Sequence, residues 1–117
     1  MAKKIGLFLD DLRVVKDVTW LTYPDNIEWI VVRNAWDFFR HFGRGKIDFI
    51  SFDHDIQQYT PDGDEITGYD ILKELANMLM DDGVAIPQCF FHTQNPIGKK
   101  NMEAYYLNAV KFQEENK

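Results

Sequence analysis

The sequence predicts a small three-layer α/β domain, built on a short parallel sheet of about four to five strands. Three observations carry that reading. Runs of strand length and largely apolar character recur at Ile5–Leu9, Glu28–Val32, Asp48–Phe52 and Ile86–Phe91. Segments with apolar residues at helical spacing follow the last three of these runs, and strands alternating with helices imply right-handed crossovers and a parallel sheet. Each run also ends in polar or titratable residues: Asp10-Asp11, Arg33-Asn34, Asp53-His54-Asp55 and His92-Thr93.

The elements follow in order. Ile5–Leu9 is the first buried strand. Residues 14–26 read as an irregular link, with Trp20 and Leu21 tucked under it and a turn at Tyr23-Pro24-Asp25-Asn26. Glu28–Val32 is the second strand. Asn34 then caps a helix over Ala35–Phe42, whose Ala35, Phe38, Phe39 and Phe42 fall on one face, and Gly43 and Gly45 close it. Asp48–Phe52 is the third strand. Residues 56–67 read as a long polar connection, and loops of that length are usually functional or mobile. Its Asp62-Gly63-Asp64 lacks the spacing of a calcium loop. A helix from Thr67-Gly68-Tyr69-Asp70 to Met80 buries Tyr69, Leu72, Leu75, Ala76 and Leu79, and Asp81-Asp82-Gly83 ends it. Ile86–Phe91 is the fourth strand, with Pro87 near its start where proline is tolerated. A last helix spans Lys99 to Phe112 with Met102, Tyr105, Tyr106, Ala109 and Val110 inward, and Gln113 to Lys117 is expected to fray.

Bulk properties narrow the function classes. A chain of 117 residues, 45% hydrophobic and 15% aromatic, fits one domain with a real core. A net charge of −6 argues against broad binding to duplex DNA or to an anionic membrane, while leaving room for a local phosphate site. One cysteine, Cys89, excludes an internal disulfide and a cysteine-based zinc cluster, and its apolar neighbours mark it as buried and inert. Met1-Ala2-Lys3-Lys4 runs straight into the first strand without a signal peptide, and no apolar run reaches membrane-spanning length. The expectation is a cytoplasmic protein, with nothing in the sequence to specify an oligomeric state.

In an open parallel sheet, ligands bind beyond the carboxyl ends of the strands. That rim would gather Asp10, Asp11, Arg33, Asp53, His54, Asp55, His92, Thr93 and Asn95. So many carboxylates repel unless a cation or a proton joins them. A divalent ion, Mg²⁺ or Mn²⁺, held by two carboxylates and a backbone carbonyl would satisfy them. His54 and His92 have the right side chain for general acid and base, and Arg13 and Arg33 could clamp phosphate oxygens. Asn95-Pro96-Ile97-Gly98 sets a rigid turn before a helix N-terminus, a natural anion site. Plainer roles compete: His92 as the cap of a strand, Arg13 as a surface partner of Asp10 or Asp17, and Asn95 and Asn101 as turn and cap residues. His41, on the Phe-rich helix, reads as an ordinary surface residue.

With these residues assembled, the chain resembles receiver-type domains of the flavodoxin-like class. Asp10-Asp11 matches the acidic pair that holds Mg²⁺, Asp53 the phospho-accepting aspartate, Asp55 the residue offering a backbone carbonyl to the metal, and Thr93 the hydroxyl switch. It departs from them in lacking a Lys-Pro pair and a clear fifth strand, and in adding histidines. A narrower group fits better: the cyclic-phosphate processing receiver-like domains of bacteria and their phages. The residues that carry this resemblance are Leu9-Asp10-Asp11-Leu12-Arg13, Asp53-His54-Asp55, Thr67-Gly68 and His92-Thr93-Gln94-Asn95-Pro96-Ile97-Gly98. The resemblance implies action on cyclic phosphates of nucleotides or RNA ends, and the carboxylates of the rim add metal assistance. Taken together, the rim chemistry and the resemblance give catalysis to His54, His92 and Asp53, metal to Asp10, Asp11, Asp53 and Asp55, and phosphate to Arg13, Arg33, Thr93, Asn95 and Gly98. The partner is then a small phosphorylated ligand or an RNA end. Rival readings are a signalling receiver phosphorylated on Asp53, a haloacid-dehalogenase-like phosphatase suggested by Asp53-His54-Asp55, and a non-enzymatic nucleotide- or partner-binding protein.

Overall fold

A computed structural model describes residues 3–116; Met1 and Ala2, ahead of the first strand in the sequence, and Lys117 of the expected frayed tail lie outside them. Four parallel strands form the sheet: β1 (Lys4–Leu9), β2 (Ile27–Val32), β3 (Phe49–Phe52) and β6 (Gln88–Phe91), in spatial order β2-β1-β3-β6. This is the flavodoxin-like order without its fifth strand, and the chain reverses direction of winding between β1 and β3.

Side chains alternate along a strand, so each strand serves both faces. Leu7, Leu9, Ile50, Phe52, Cys89 and Phe91 share one core with all three helices: α1 (Ala35–Phe42), α2 (Gly68–Asp81) and α3 (Pro96–Glu115). A line of rings joins them, Phe38 to Phe52 to Phe91 to Tyr106. The other face presents Phe8, Trp29, Ser51 and Phe90. No regular helix among the described residues covers it. The irregular segment between β1 and β2, holding only a 3₁₀ turn at Val15–Asp17, forms the third layer there. Its Tyr23 packs on Trp29 at 4.9 Å and edge-on to Phe90 at 5.3 Å between ring centroids.

Local chemistry sets the helix starts. Asn34 Oδ1 accepts from Asp37 N at 2.8 Å, capping α1 as the sequence predicts. Thr67 and Asp70 form a reciprocal capping box at α2, whose buried side also includes Ile71. Tyr69 is only half-buried.

Two expectations are corrected. Residues 56–67 are a β-hairpin rather than a loop: β4 (Asp55–Tyr59) and β5 (Glu65–Thr67) pair antiparallel, with a bulge between Asp55 and Gln58. Only Ile56 of β4 is buried, so a polar, two-sided exposed strand hid its period. The turn Thr60-Pro61-Asp62-Gly63-Asp64, with Gly63 at φ +90°, was the readable signal. The tail is also ordered further than expected, with α3 helical to Glu115. Gln113 holds it: Oε1 accepts from Ile86 N at 3.0 Å and Nε2 donates to Val84 O at 2.8 Å. No helix among the described residues is long and apolar enough to cross a membrane.

Gly68 couples the sheet to α2. Its amide donates to His54 O at 2.8 Å, and a Cβ there would collide with the Asp53 carbonyl oxygen. Gly68→Ala must push α2 off the end of β3 and should destabilise the domain by about 1–3 kcal/mol in urea unfolding. A loss below about 0.5 kcal/mol, the range of an ordinary surface change, would show that this contact gives way easily.

Candidate functional site

Strand register builds the site. Leu9 lies beside Val32 and Phe52, and Phe52 beside Phe91. The next residue on each strand is therefore Asp10, Arg33, Asp53 or His92, in one row across the rim. The backbone extends the ladder through that row: Asp10 N to Val32 O at 3.1 Å, Asp53 N to Leu9 O at 3.0 Å and His92 N to Phe52 O at 3.1 Å. Leu9, Phe52 and Phe91 face the helices, so alternation turns the row to the other side, under residues 10–26.

Asp10 is the centre of the row. Its Oδ2 meets His92 Nε2 at 3.0 Å and Arg13 Nη1 at 3.2 Å, and its Oδ1 accepts from the amides of Leu12 at 2.9 Å and Arg13 at 2.8 Å. Burial alone would raise this carboxyl; the hydrogen bonds from His92 and from the Arg13 and Leu12 amides outweigh it and hold the group well below the usual carboxylate range.

His92 is 0% exposed and has both ring nitrogens engaged. Its Nδ1 meets Ser51 Oγ at 2.7 Å, and Ser51 Oγ meets Tyr23 Oη at 2.6 Å. With Asp10 ionised, Nε2 donates to it, and Nδ1 shares the second hydrogen bond with the Ser51 hydroxyl. Phe8 stacks on the imidazole, with ring centroids 4.3 Å apart. Burial, together with the Asp10 charge, raises the Tyr23 hydroxyl, with the Ser51 bond offsetting part of it.

Asp53 lies across from Asp10. Burial first, then the Asp10 charge, raise its carboxyl, against the pull of His92, the His54 amide and the Thr93 hydroxyl. Arg13 Nη1 is 4.0 Å from Asp53 Oδ2 and so bridges the two carboxylates. Gln94 Oε1 accepts from Arg13 Nη2 at 3.1 Å and steadies the guanidinium.

The remaining candidates take other places. Arg33 Nη1 donates to the carbonyls of Asp10 at 3.1 Å and Arg13 at 2.8 Å, so it braces the turn carrying them. His54 is turned toward α3, where a Cβ on Gly98 would collide with its ring. Gly98 thus makes room for His54, while its amide donates to Asn95 Oδ1 at 3.0 Å as part of the helix cap. Asn95 Nδ2 reaches Asp55 Oδ2 at 3.1 Å, and Asp55 Oδ1 meets His54 Nδ1 at 2.9 Å, a bond that lowers the Asp55 carboxyl. No buried side-chain nitrogen or oxygen among the described residues lacks a partner, so His54 Nε2, which makes no hydrogen bond of its own, reaches solvent. Asp11 is half-buried beside Asp10.

One donor set for a metal ion emerges among the described residues: Asp10, Asp53 and His92 each offer an atom within 4.8 Å of the others. The two carboxylates suit a divalent ion such as Mg²⁺ or Mn²⁺, whereas His92 spends Nε2 on Asp10 and Nδ1 on Ser51 and supports the carboxylate rather than offering a ring nitrogen. Asp11 and Asp55 stand outside that set. Residues 5–108 match the family described as the cyclic-phosphate processing receiver domain. The chain belongs to that family. No curated protein matches it. Among solved structures, a response regulator receiver domain protein from Clostridium thermocellum aligns at 16% identity with a TM-score of 0.46, over 97% of this chain and 99% of that one.

Ser51, Tyr23, Trp20 and Gln94 join the site without having been singled out in the sequence. Ser51 left a readable signal, a lone hydroxyl in the apolar run Phe49-Ile50-Ser51-Phe52 that burial obliges to find a partner. The other three come from segments with no periodicity to place them.

The two carboxylates respond to pH with opposite sign. Asp10 is depressed, so its stabilisation is present above the ordinary carboxylate value of about 3.9 and is lost as pH falls through the folded value. Asp53 is raised, so its ionisation costs stability at neutral pH, and that cost fades as pH falls through its folded value. In EDTA at neutral pH, Asp10→Asn should lose about 2–3 kcal/mol, the worth of a charge-assisted buried bond. Asp53→Asn should raise the melting temperature, and the gain should vanish in acid. A destabilised Asp53→Asn would contradict the like-charge account.

Proposed function

We propose that this domain opens cyclic phosphodiesters on nucleotides or RNA ends with the help of a divalent ion. The observation that carries the proposal is the single row that sets Asp10, Asp53 and His92 side by side with Arg13 bridging the carboxylates, in a chain of the cyclic-phosphate processing family. The reaction adds water to phosphorus and breaks one of the two ring P–O bonds. The leaving oxygen departs with a proton, and a phosphomonoester remains. Mn²⁺ or Mg²⁺ held by Asp10 and Asp53, with Asp11 adjacent, would take over the charge pairing that Arg13 gives these carboxylates and would supply Lewis-acid charge to the phosphoryl oxygens.

The chain's own groups do the rest. Arg13 offers donors to the non-bridging oxygens, and Gln94 keeps its guanidinium oriented. We assign proton movement to His54, whose Nδ1 is held by Asp55 and whose Nε2 has no protein partner. His92 is too deeply buried to meet substrate and acts by holding Asp10 ionised and in place. The sequence-level pairing of two equivalent histidines thus becomes a division of labour. Phosphorelay on Asp53 is the weaker reading, since the cation beside Asp53 is an arginine held more closely by Asp10, at 3.2 Å against 4.0 Å.

The test is turnover of 2′,3′-cyclic and 3′,5′-cyclic nucleotides, and of RNA with a cyclic end, with Mn²⁺ or Mg²⁺. His54→Ala should lose about 10²–10⁴ in rate, and His92→Ala, which removes a positioning partner of Asp10, about 10- to 100-fold. Absence of turnover by the wild type with every divalent ion would defeat the enzyme reading in favour of a binding protein. Calorimetric Mn²⁺ binding should weaken in Asp53→Asn; equal binding would move the ion elsewhere.

A further inference from the structure

Trp20 sits at the edge of the site with part of its surface uncovered. Its Nε1–H donates to the His92 carbonyl at 2.8 Å, which fixes the indole beside the end of β6. The residue nevertheless stays 38% exposed. Arg13, the cation that bridges Asp10 and Asp53, has its guanidinium carbon 5.5 Å from the Trp20 ring centroid. A phosphate paired with Arg13 therefore lies next to a rigid aromatic surface. An exposed indole with a fixed orientation is suited to stack a base at little cost in side-chain ordering, and such stacking tolerates any base.

We propose that Trp20 is a nucleobase platform, so that the site takes cyclic phosphates carrying a base and discriminates against base-free cyclic phosphates of sugars or polyols. This rests on the cyclic-phosphate reading above and narrows it. Trp36 provides the control. It is 70% exposed and lies under Arg40 on α1, in a groove between α1 and α2.

The experiment is calorimetric binding of 2′,3′-cyclic AMP and of 1-O-methylribose 2′,3′-cyclic phosphate to wild type, Trp20→Ala, Trp20→Phe and Trp36→Ala. Wild type should prefer the nucleotide. Trp20→Ala should weaken the nucleotide by about 5- to 150-fold more than the base-free ligand, the usual worth of one stacked base. Trp20→Phe should retain most of the preference, and Trp36→Ala should match wild type. A wild type that binds both ligands equally, or a Trp20→Ala that loses both equally, overturns the platform while leaving the phosphate site intact. If neither ligand binds wild type, the cyclic-phosphate reading falls and the platform with it. The wild-type spectrum gives a second readout: the Trp20 indole N–H resonance, assigned by its loss in Trp20→Phe, should shift with the nucleotide and not with the base-free ligand. The same shift from both would again reject the platform.

Discussion

The buried Asp10 carboxylate is the interaction on which the rest of this structure depends. An ionised group at 1% exposure is tolerable only when its acceptor positions are filled, and here two backbone amides, an imidazole and a guanidinium fill them. Each partner ties Asp10 to a different part of the chain. The Leu12 and Arg13 amides fold the chain back after β1. His92 joins β1 to β6 across β3. Arg13 carries positive charge to Asp53. Arg33 then locks the turn from below through the carbonyls of Asp10 and Arg13.

That saturation has an electrostatic consequence. Asp10 holds its negative charge firmly, so Asp53 must ionise beside a permanent anion in a nearly dry setting. Arg13 relieves part of the repulsion, and a divalent ion or an anionic ligand's counter-charge would rearrange the balance. Polar groups beneath are also committed. Ser51 and Tyr23 continue the chain of hydrogen bonds from His92 into the half-covered sheet face. The segment that supplies Tyr23 and Trp20 takes the place of a helix on that face, and this is why aromatic side chains, rather than a helix end, border the site.

Much of the fold was legible because it follows from short-range rules. Val32, Phe52 and Phe91 end apolar runs, Asn34 and Thr67 are caps, and parallel strands must place their polar ends on one rim. The row of Asp10, Asp53 and His92 follows from the same counting. The hairpin at Asp55–Thr67 was not legible, because its strands bury little and their polar residues mask the alternation. Gly98 illustrates a different limit: its sequence context suggests an anion site, whereas the space it leaves is taken by His54. Which face of the rim His54 and His92 occupy depends on where a strand stops, and a one-residue difference reverses it.

The central claim is that the β1–β3 rim receives a cyclic phosphate. Amide chemical shifts recorded while 2′,3′-cyclic AMP is titrated into the protein with Mn²⁺ replaced by diamagnetic Mg²⁺ test it most directly. The account predicts that the largest changes cluster at Asp10–Arg13, Asp53–Asp55 and Thr93–Asn95, at the ends of β1, β3 and β6. Changes confined to the far ends of the strands, or to the α1–α2 groove, would contradict it.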